Sequence, residues 1–300
     1  MAGYTELARS LAEEIAAGGI GEGDRLPALR PLASARGASQ ATALRAYREL
    51  AAAGVITTEE RRVGKVAPGG ALAAARYLRG GGTFRLAGSD DPALLLLVGE
   101  APAEVDLAST DGSAAGLAAL QQGDADGAVL HLWHAGGAYN APYARAVVDD
   151  ARLVRLWNRE AGLAVAPHNP RRVRRAADLA GLRVARRPVG TGARSLLDRV
   201  TGDVGIVLDA SDPEVPRNLD VALAVASGSA DAGVTARAVA ERLGLGFVPL
   251  QWEPVDVAVG GAALSGLEPL LKALRRAEVR RRIEALGGYD LAEAGRAERC

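Results

Sequence analysis

The sequence predicts an α/β protein in two parts: a small helical head carrying a short β-hairpin, and a larger body of alternating strands and helices. Three observations carry this. Apolar residues recur at helical spacing between glycine stops up to residue 54. From Thr83 onward, short β-rich runs alternate with Ala/Leu-rich runs, the pattern of mostly parallel sheets covered by helices. Pro68-Gly69-Gly70 and Gly80-Gly81-Gly82 punctuate the junction. The expected division is 1–68, a linker or bridging helix at 69–82, and 83–300. A chain of 300 residues with 49% hydrophobic residues has material for more than one core.

Within the head, Leu7, Leu11 and Ile15 predict a first helix over 4–18, ended by Gly18-Gly19. A turn at Gly21–Asp24 leads to a second helix from Pro27 to Arg36, stopped at Gly37. Ser39 is a fit N-cap for a third helix, Gln40 to Ala53, broken by Gly54. Val55–Thr58 and Val63–Val66 read as two strands around a polar turn. Helix, helix, tight turn, helix and β-wing make a winged helix-turn-helix, with Leu7, Leu11, Leu29, Leu32, Ala46 and Leu50 expected in its core.

Charge and cysteine content narrow the function. The formal net charge is zero, so any nucleic-acid surface must be local. Cys300 is the single cysteine and permits no internal disulfide, which fits a reducing cytoplasm. The N-terminal stretch carries Glu6, Glu13 and Glu14 and does not read as a signal peptide. No apolar run reaches membrane-spanning length. A cytoplasmic protein without membrane contact is expected.

The head also resembles a known family. Tyr4-x-x-Leu7-Ala8, Gly23-Asp24-Arg25-Leu26-Pro27, Leu29-Arg30-x-Leu32-Ala33, Ser39-x-x-Thr42 and Arg45-Ala46-Tyr47-x-x-Leu50-x-x-x-Gly54 are similar to the GntR family of bacterial regulators. Residues 4 to about 68 carry the likeness. Independently of it, Ser39 and Gln40 open the third helix, where a recognition helix meets base edges or phosphate. Thr42 and Arg45 follow on nearly the same face, and Arg45 can donate to guanine or phosphate. Arg30 resembles the family's DNA-contacting arginine. Arg61, Arg62 and Lys65 lie in the wing, which carries Gly64 where the family's wing is richer in glycine. These eight residues are the expected DNA contacts.

The body reads as strands at Thr83–Ala87, Val105–Ser109, Ala128–Leu132, Leu163–Ala166, Leu182–Arg186, Val204–Leu208, Val221–Val225 and Val255–Val259. Three strand-to-helix junctions pair glycine with a hydroxyl: Gly88-Ser89-Asp90-Asp91-Pro92, Gly112-Ser113 and Val189-Gly190-Thr191-Gly192. Helix N-terminal N–H groups there can face a small anion, with glycine allowing close approach. Arg194 can add a bidentate cation, and Tyr139 and Asn140 form a polar loop. Ser89, Asp91, Ser113, Tyr139, Asn140, Gly190, Thr191 and Arg194 are the expected ligand residues. Aspartates 90, 91 and 111 would repel a dianion if they faced inward. His131 and His134 lack a third ligand, so no metal site is expected. Trp133, Trp157 and Trp252 are read as core or lobe-interface residues.

Gly88-Ser89-x-Asp91-Pro92, Ser113-x-x-Gly116-Leu117, Tyr139-Asn140-x-Pro142-Tyr143, Gly190-Thr191-Gly192-x-Arg194 and Ala226–Gly233 resemble a periplasmic-binding-protein-like domain of molybdate-binding type. The resemblance implies a type II α/β domain of two lobes joined by crossover strands, with ligand between them. Within it, Ala226–Gly233 resembles the hinge, with a plain helix-to-strand turn as the alternative. It also implies molybdate or tungstate as effector, whereas the residues alone say a small, polar, anionic molecule. The expected function is a ligand-responsive regulator on a double-stranded DNA operator, as a homodimer. The alternatives are an organic effector or a GntR-headed, cofactor-dependent enzyme. Pyridoxal phosphate chemistry needs a Schiff-base lysine. Outside the wing that leaves Lys272, in a basic helix that reads as exposed, so no cofactor and no enzyme are expected.

Overall fold

The computed structural model describes residues 3–58, 64–78, 80, 83–101, 105–148 and 150–300. In the head, α1 (Tyr4–Ala16), α2 (Leu29–Ala35) and α3 (Gln40–Ala52) precede the antiparallel pair β1 (Ile56–Thr57) and β2 (Lys65–Val66), and α4 (Gly70–Leu78) follows. Leu7, Leu11 and Ile15 bury one stripe of α1. α3 starts at Ser39, whose hydroxyl accepts the Thr42 N–H at 3.0 Å, and ends where Gly54 takes φ 74°. These stripes close one core with Leu32, Ala46, Tyr47 and Leu50. Each aliphatic side chain fully buried there contributes about 1.5–3 kcal/mol. α4 adds Ala73 and Ala74 to the same core, while Leu72 packs on a cluster of the body.

The body begins with β3 (Phe84–Gly88), α5 (Pro92–Glu100), β4 (Val105–Ser109), α6 (Ser113–Gln122), β5 (Gly127–Leu130) and α7 (Ala141–Val147). A 15-residue strand, β6 (Ala151–Val165), leaves this half. It is followed by β7 (Val184–Ala185), α8 (Gly192–Gly202), α9 (Asn218–Ala226), β8 (Ala232–Ala236) and α10 (Arg237–Arg242). A second 15-residue strand, β9 (Gly246–Gly260), runs back. Then come α11 (Glu268–Arg275), α12 (Ala277–Glu284), β10 (Tyr289–Asp290) and β11 (Ala297–Arg299).

The sheet order is β4-β3-β5-β9-β6-β8-β7, with β10 and β11 also on β6. β3, β4 and β5 run parallel at one end, and β7 and β8 at the other. β9 pairs with β6 along its whole length and with β5 through its C-terminal half. The result is two lobes threaded by β6 and β9. One is built on Phe84, Leu94 and Trp157, the other on Leu163, Leu196 and Val234. Register shifts in β6 after Arg155 and after Ala161 bracket the crossing.

Several expected elements differ. Val221–Val225 lies in α9, not a strand: Val221, Ala222 and Val225 are buried while Leu219 and Leu223 are exposed, the one-sided burial of a helix. Val204–Leu208 has no strand, and Val207 is 94% exposed. Ala226–Gly233 is no hinge but a helix-to-strand turn: Ser227 caps α9, Gly228 takes φ 75°, and the chain enters β8, while the lobes join through β6 and β9. Of the three tryptophans read as core or lobe interface, Trp252 is 51% exposed and lies on the crossing stretch of β9, opposite Glu160.

Candidate functional site

The head presents the exposed face of α3. Ser39, Gln40 and Arg45 are exposed and Thr42 is half-buried, while Ala43, Ala46, Tyr47 and Leu50 face the core. Ser39 and Thr42 are joined by hydroxyls 2.8 Å apart as well as by the cap bond. The Arg45 guanidinium lies 3.8 Å from the Tyr4 ring centroid, which fixes a cation–π contact across α1 and α3. Tyr47 donates to the Pro27 carbonyl at 2.6 Å and anchors the turn before α2. Arg30 and Lys65 are exposed. Arg61 and Arg62 lie outside the described residues. Two further exposed cations were not among the expected contacts. Arg25 bridges to Lys65 along the ribbon, and Arg48 lies one turn after Arg45. A helical count from Arg45 would have flagged Arg48, whereas Arg25 stood in the Gly23–Pro27 motif without a contact role, and its pairing with Lys65 is visible only in the structure.

In the body, the three glycine–hydroxyl junctions meet at the seam between the lobes. The Gly112 N–H donates to the Gly88 carbonyl at 2.8 Å, and the Ala114 N–H donates across the seam to the Gly190 carbonyl at 3.0 Å. A Cβ on Gly192 would stand 1.9 Å from His131 Nδ1, and one on Gly112 would stand 2.7 Å from the Thr191 methyl. Glycine at these positions is what lets the two lobes touch.

The expected ligand residues divide at this seam. Ser89 and Ser113 are completely buried. Ser113 Oγ accepts the His131 N–H at 3.3 Å, and Ser89 Oγ has no partner. Thr191 caps α8, donating to the Pro188 carbonyl at 2.8 Å and accepting the Arg194 N–H at 3.3 Å. Asp91, Asn140 and Arg194 are committed elsewhere. Asp91 caps α5 and accepts from Arg159 at 2.8 Å and Tyr289 at 2.9 Å. Asn140, at φ 52°, accepts from Leu132 and donates to Pro254 and Asp256. Arg194 binds Asp198 and Glu214. Tyr139 accepts from Gln251 at 2.6 Å, and burial pushes its hydroxyl up to about 12.

Behind the seam sits a network that the sequence reading missed. Arg159, 1% exposed on the crossing stretch of β6, donates to Glu253 at 2.8 Å and to Asp91 at 2.8 Å. His131 lies 3.1 Å from its other nitrogen and 3.3 Å from Glu253. Burial raises the Glu253 carboxyl, but the Arg159 cation and the contact with His131 outweigh it and hold it at about 2. Burial alone would weaken the Arg159 cation; Glu253 and Asp91 reverse that and strengthen it. Among the described residues no set of three His, Cys, Asp or Glu could hold a metal.

A second network latches the lobes. Asp90, from the loop after β3, accepts Arg187 Nη1 at 3.2 Å, the Asn218 N–H at 2.6 Å and the Asn218 amide at 2.8 Å. Beside the seam a groove of about 710 Å³ opens, lined by Leu117, Leu132, Trp133, Tyr143, Val189 and Arg194. Arg199 lies 5.0 Å from the Trp133 ring centroid in it.

Two lobes on paired crossing strands, with polar groups converging on the seam, follow a small winged helix-turn-helix head. The chain belongs to the PBP superfamily, whose domain model matches residues 99–275. The model for bacterial regulatory proteins of the gntR family matches residues 3–66. A relative from Bacillus subtilis (strain 168), described as "Uncharacterized protein YvgK", is 34% identical over 206 residues, or 64% of this chain. The chain spans 65% of that relative's length. A protein from Clostridium perfringens, described as a "Putative Phosphate ABC Transporter Substrate-Binding Protein with Bound Phosphate", is 12% identical with a TM-score of 0.52. It covers 69% of this chain and 99% of its own. A Corynebacterium glutamicum OxyR mutant is 14% identical, covers 94% of each chain, and has a TM-score of 0.50. These two likenesses concern the fold alone.

Proposed function

We propose that the protein is a transcriptional regulator in which a small polar or anionic effector, held between the lobes, alters operator binding by the head. The observation that carries this is one chain bearing both the exposed α3 stripe and a lobe seam with a completely buried, unpartnered hydroxyl at Ser89. The division at 1–68, 69–82 and 83–300, a cytoplasmic location and a homodimer on a two-fold operator belong to this reading. So do DNA contacts by Arg30, Ser39, Gln40, Thr42, Arg45, Arg61, Arg62 and Lys65. No catalytic step is part of it.

The test is fluorescence anisotropy with DNA from upstream of its own gene. Specific binding should weaken as salt rises. Arg45→Ala should cost about 1–3 kcal/mol if Arg45 reads a base. Salt-insensitive binding, with Arg45→Ala equal to wild type, removes the reading. The effector half is tested by thermal-shift screening of oxyanions and organic acids. Any stabilisation should vanish in Gly192→Ala, whose methyl holds the lobes apart. In the oxyanion form, molybdate or tungstate rests on Ser89, Ser113 and the α6 and α8 N-termini, and Ser89→Ala or Thr191→Val abolishes its binding. The groove with Trp133 and Tyr143 favours an organic effector as a second reading.

A further inference from the structure

We infer that the effector is a small oxyanion carrying a proton donor of its own, seated on Ser89, Arg187 and Asn218; this rests on the interlobe reading above. That chemistry is shared by a 2-hydroxycarboxylate and by dihydrogen phosphate, each a monoanion with a hydroxyl of its own.

All three residues are at least 98% buried, and each holds polar atoms without partners. Arg187 commits Nη1 to Asp90. Its Nε and Nη2 have no acceptor. Those two groups form one edge of the guanidinium and point two parallel N–H bonds the same way, which matches a pair of oxygens on one anionic group. Ser89 Oγ, next to Asp90 in the chain, is likewise unpartnered. Buried donors left in this state are rare and costly in folded proteins.

Asn218 sets the second requirement. Its Nδ2 donates to Asp90 at 2.8 Å. A carboxylate only accepts, so the amide orientation is fixed and Oδ1 must point elsewhere. Oδ1 has no donor. A ligand satisfying Arg187 and Asn218 together brings two acceptor oxygens and a hydroxyl. Fully deprotonated molybdate, tungstate and sulfate bring no hydrogen. Charge acts in the same direction. Asp90 already offsets Arg187, and Arg159 is shared between Asp91 and Glu253, so a dianion meets no spare cation.

The experiment is isothermal titration of the full chain with five probes: lactate, inorganic phosphate, propanoate, sulfate and molybdate. Lactate or phosphate should bind, with the other three at least tenfold weaker; which of the two binds identifies the source. Ser89→Ala removes a hydroxyl that has no partner to lose, so the melting temperature without probe should not move while affinity falls at least tenfold. Arg187→Lys keeps a cation for Asp90 and removes the fork, with the same loss. Sulfate or molybdate binding as tightly as lactate and phosphate overturns the assignment, as does silence of all five. A different compound that stabilises wild type but not Gly192→Ala also overturns it, while leaving interlobe binding intact. Lactate or phosphate binding untouched by Ser89→Ala, Arg187→Lys and Gly192→Ala overturns both readings.

Discussion

Arg159 shows what single residues do where the lobes join. Its guanidinium holds two carboxylates in a place without solvent, and Tyr289 and His131 complete their bonding. Such a network is costly to break because the remaining charges stay buried. Arg159→Met should destabilise by about 3–5 kcal/mol, read as a fall in the chemical-denaturation midpoint. Glu253 gives a pH signature. Its carboxyl is held at about 2, against an ordinary 4.5, so the unfolded chain takes up the proton first. The stabilisation is complete above that ordinary value and is lost as pH falls towards 2. Denaturation midpoints measured through this window should drop in wild type and drop less in Glu253→Gln; parallel curves would refute the assignment. The sequence pointed to Asp91 and His131 singly, but not to Arg159, Glu253 or the network that joins them. Arg159 is flanked by polar Asn158 and Glu160, and its partners come from β9, the N-cap of α5 and the residue after β5, far away in sequence.

At the scale of elements, the seam depends on glycine where two backbones nearly touch. Gly192→Ala should leave each lobe's core intact and prevent closure, since the new methyl meets the His131 ring and carbonyl. Small-angle scattering should give a larger radius of gyration for the variant than for wild type under closing conditions. Equal values would mean that the lobes close by another route. The glycine–hydroxyl junctions were readable because turns and N-caps are local chemistry. The head was readable for a similar reason: Leu7, Leu11 and Ile15 repeat within one helix, and Ser39 and Gly54 bound another. β6 and β9 were seen only in fragments, Leu163–Ala166 and Val255–Val259. Their crossing stretches carry Arg155, Arg159, Glu253 and Asp256, which break the apolar alternation that marks a strand. α9 was mistaken for a strand because five residues, Val221–Val225, are too few to separate a period of 3.6 from continuous burial.

For the whole molecule, the proposed regulation requires occupancy of the seam to reach α3. α4 is the shared element. Ala73 and Ala74 are in the head core, the Arg76 guanidinium lies 5.3 Å from the ring centroid of Phe84 on β3, and Tyr77 donates to Glu49 on α3. Contiguity alone does not establish coupling; a change in linked affinities does. If α4 carries the signal, Tyr77→Phe should leave DNA affinity without effector, and effector affinity without DNA, close to wild type. It should reduce the factor by which each ligand changes the other's binding. Such factors commonly lie between about 5 and 150, and linkage requires the same value measured from either side. Anisotropy with and without the effector, in wild type and Tyr77→Phe, measures one side, and calorimetry with and without operator DNA measures the other. An undiminished factor in the variant would exclude the Tyr77–Glu49 contact as the route. A factor of one in wild type would mean that the two halves bind independently, and the regulator reading would lose its effector-dependent step.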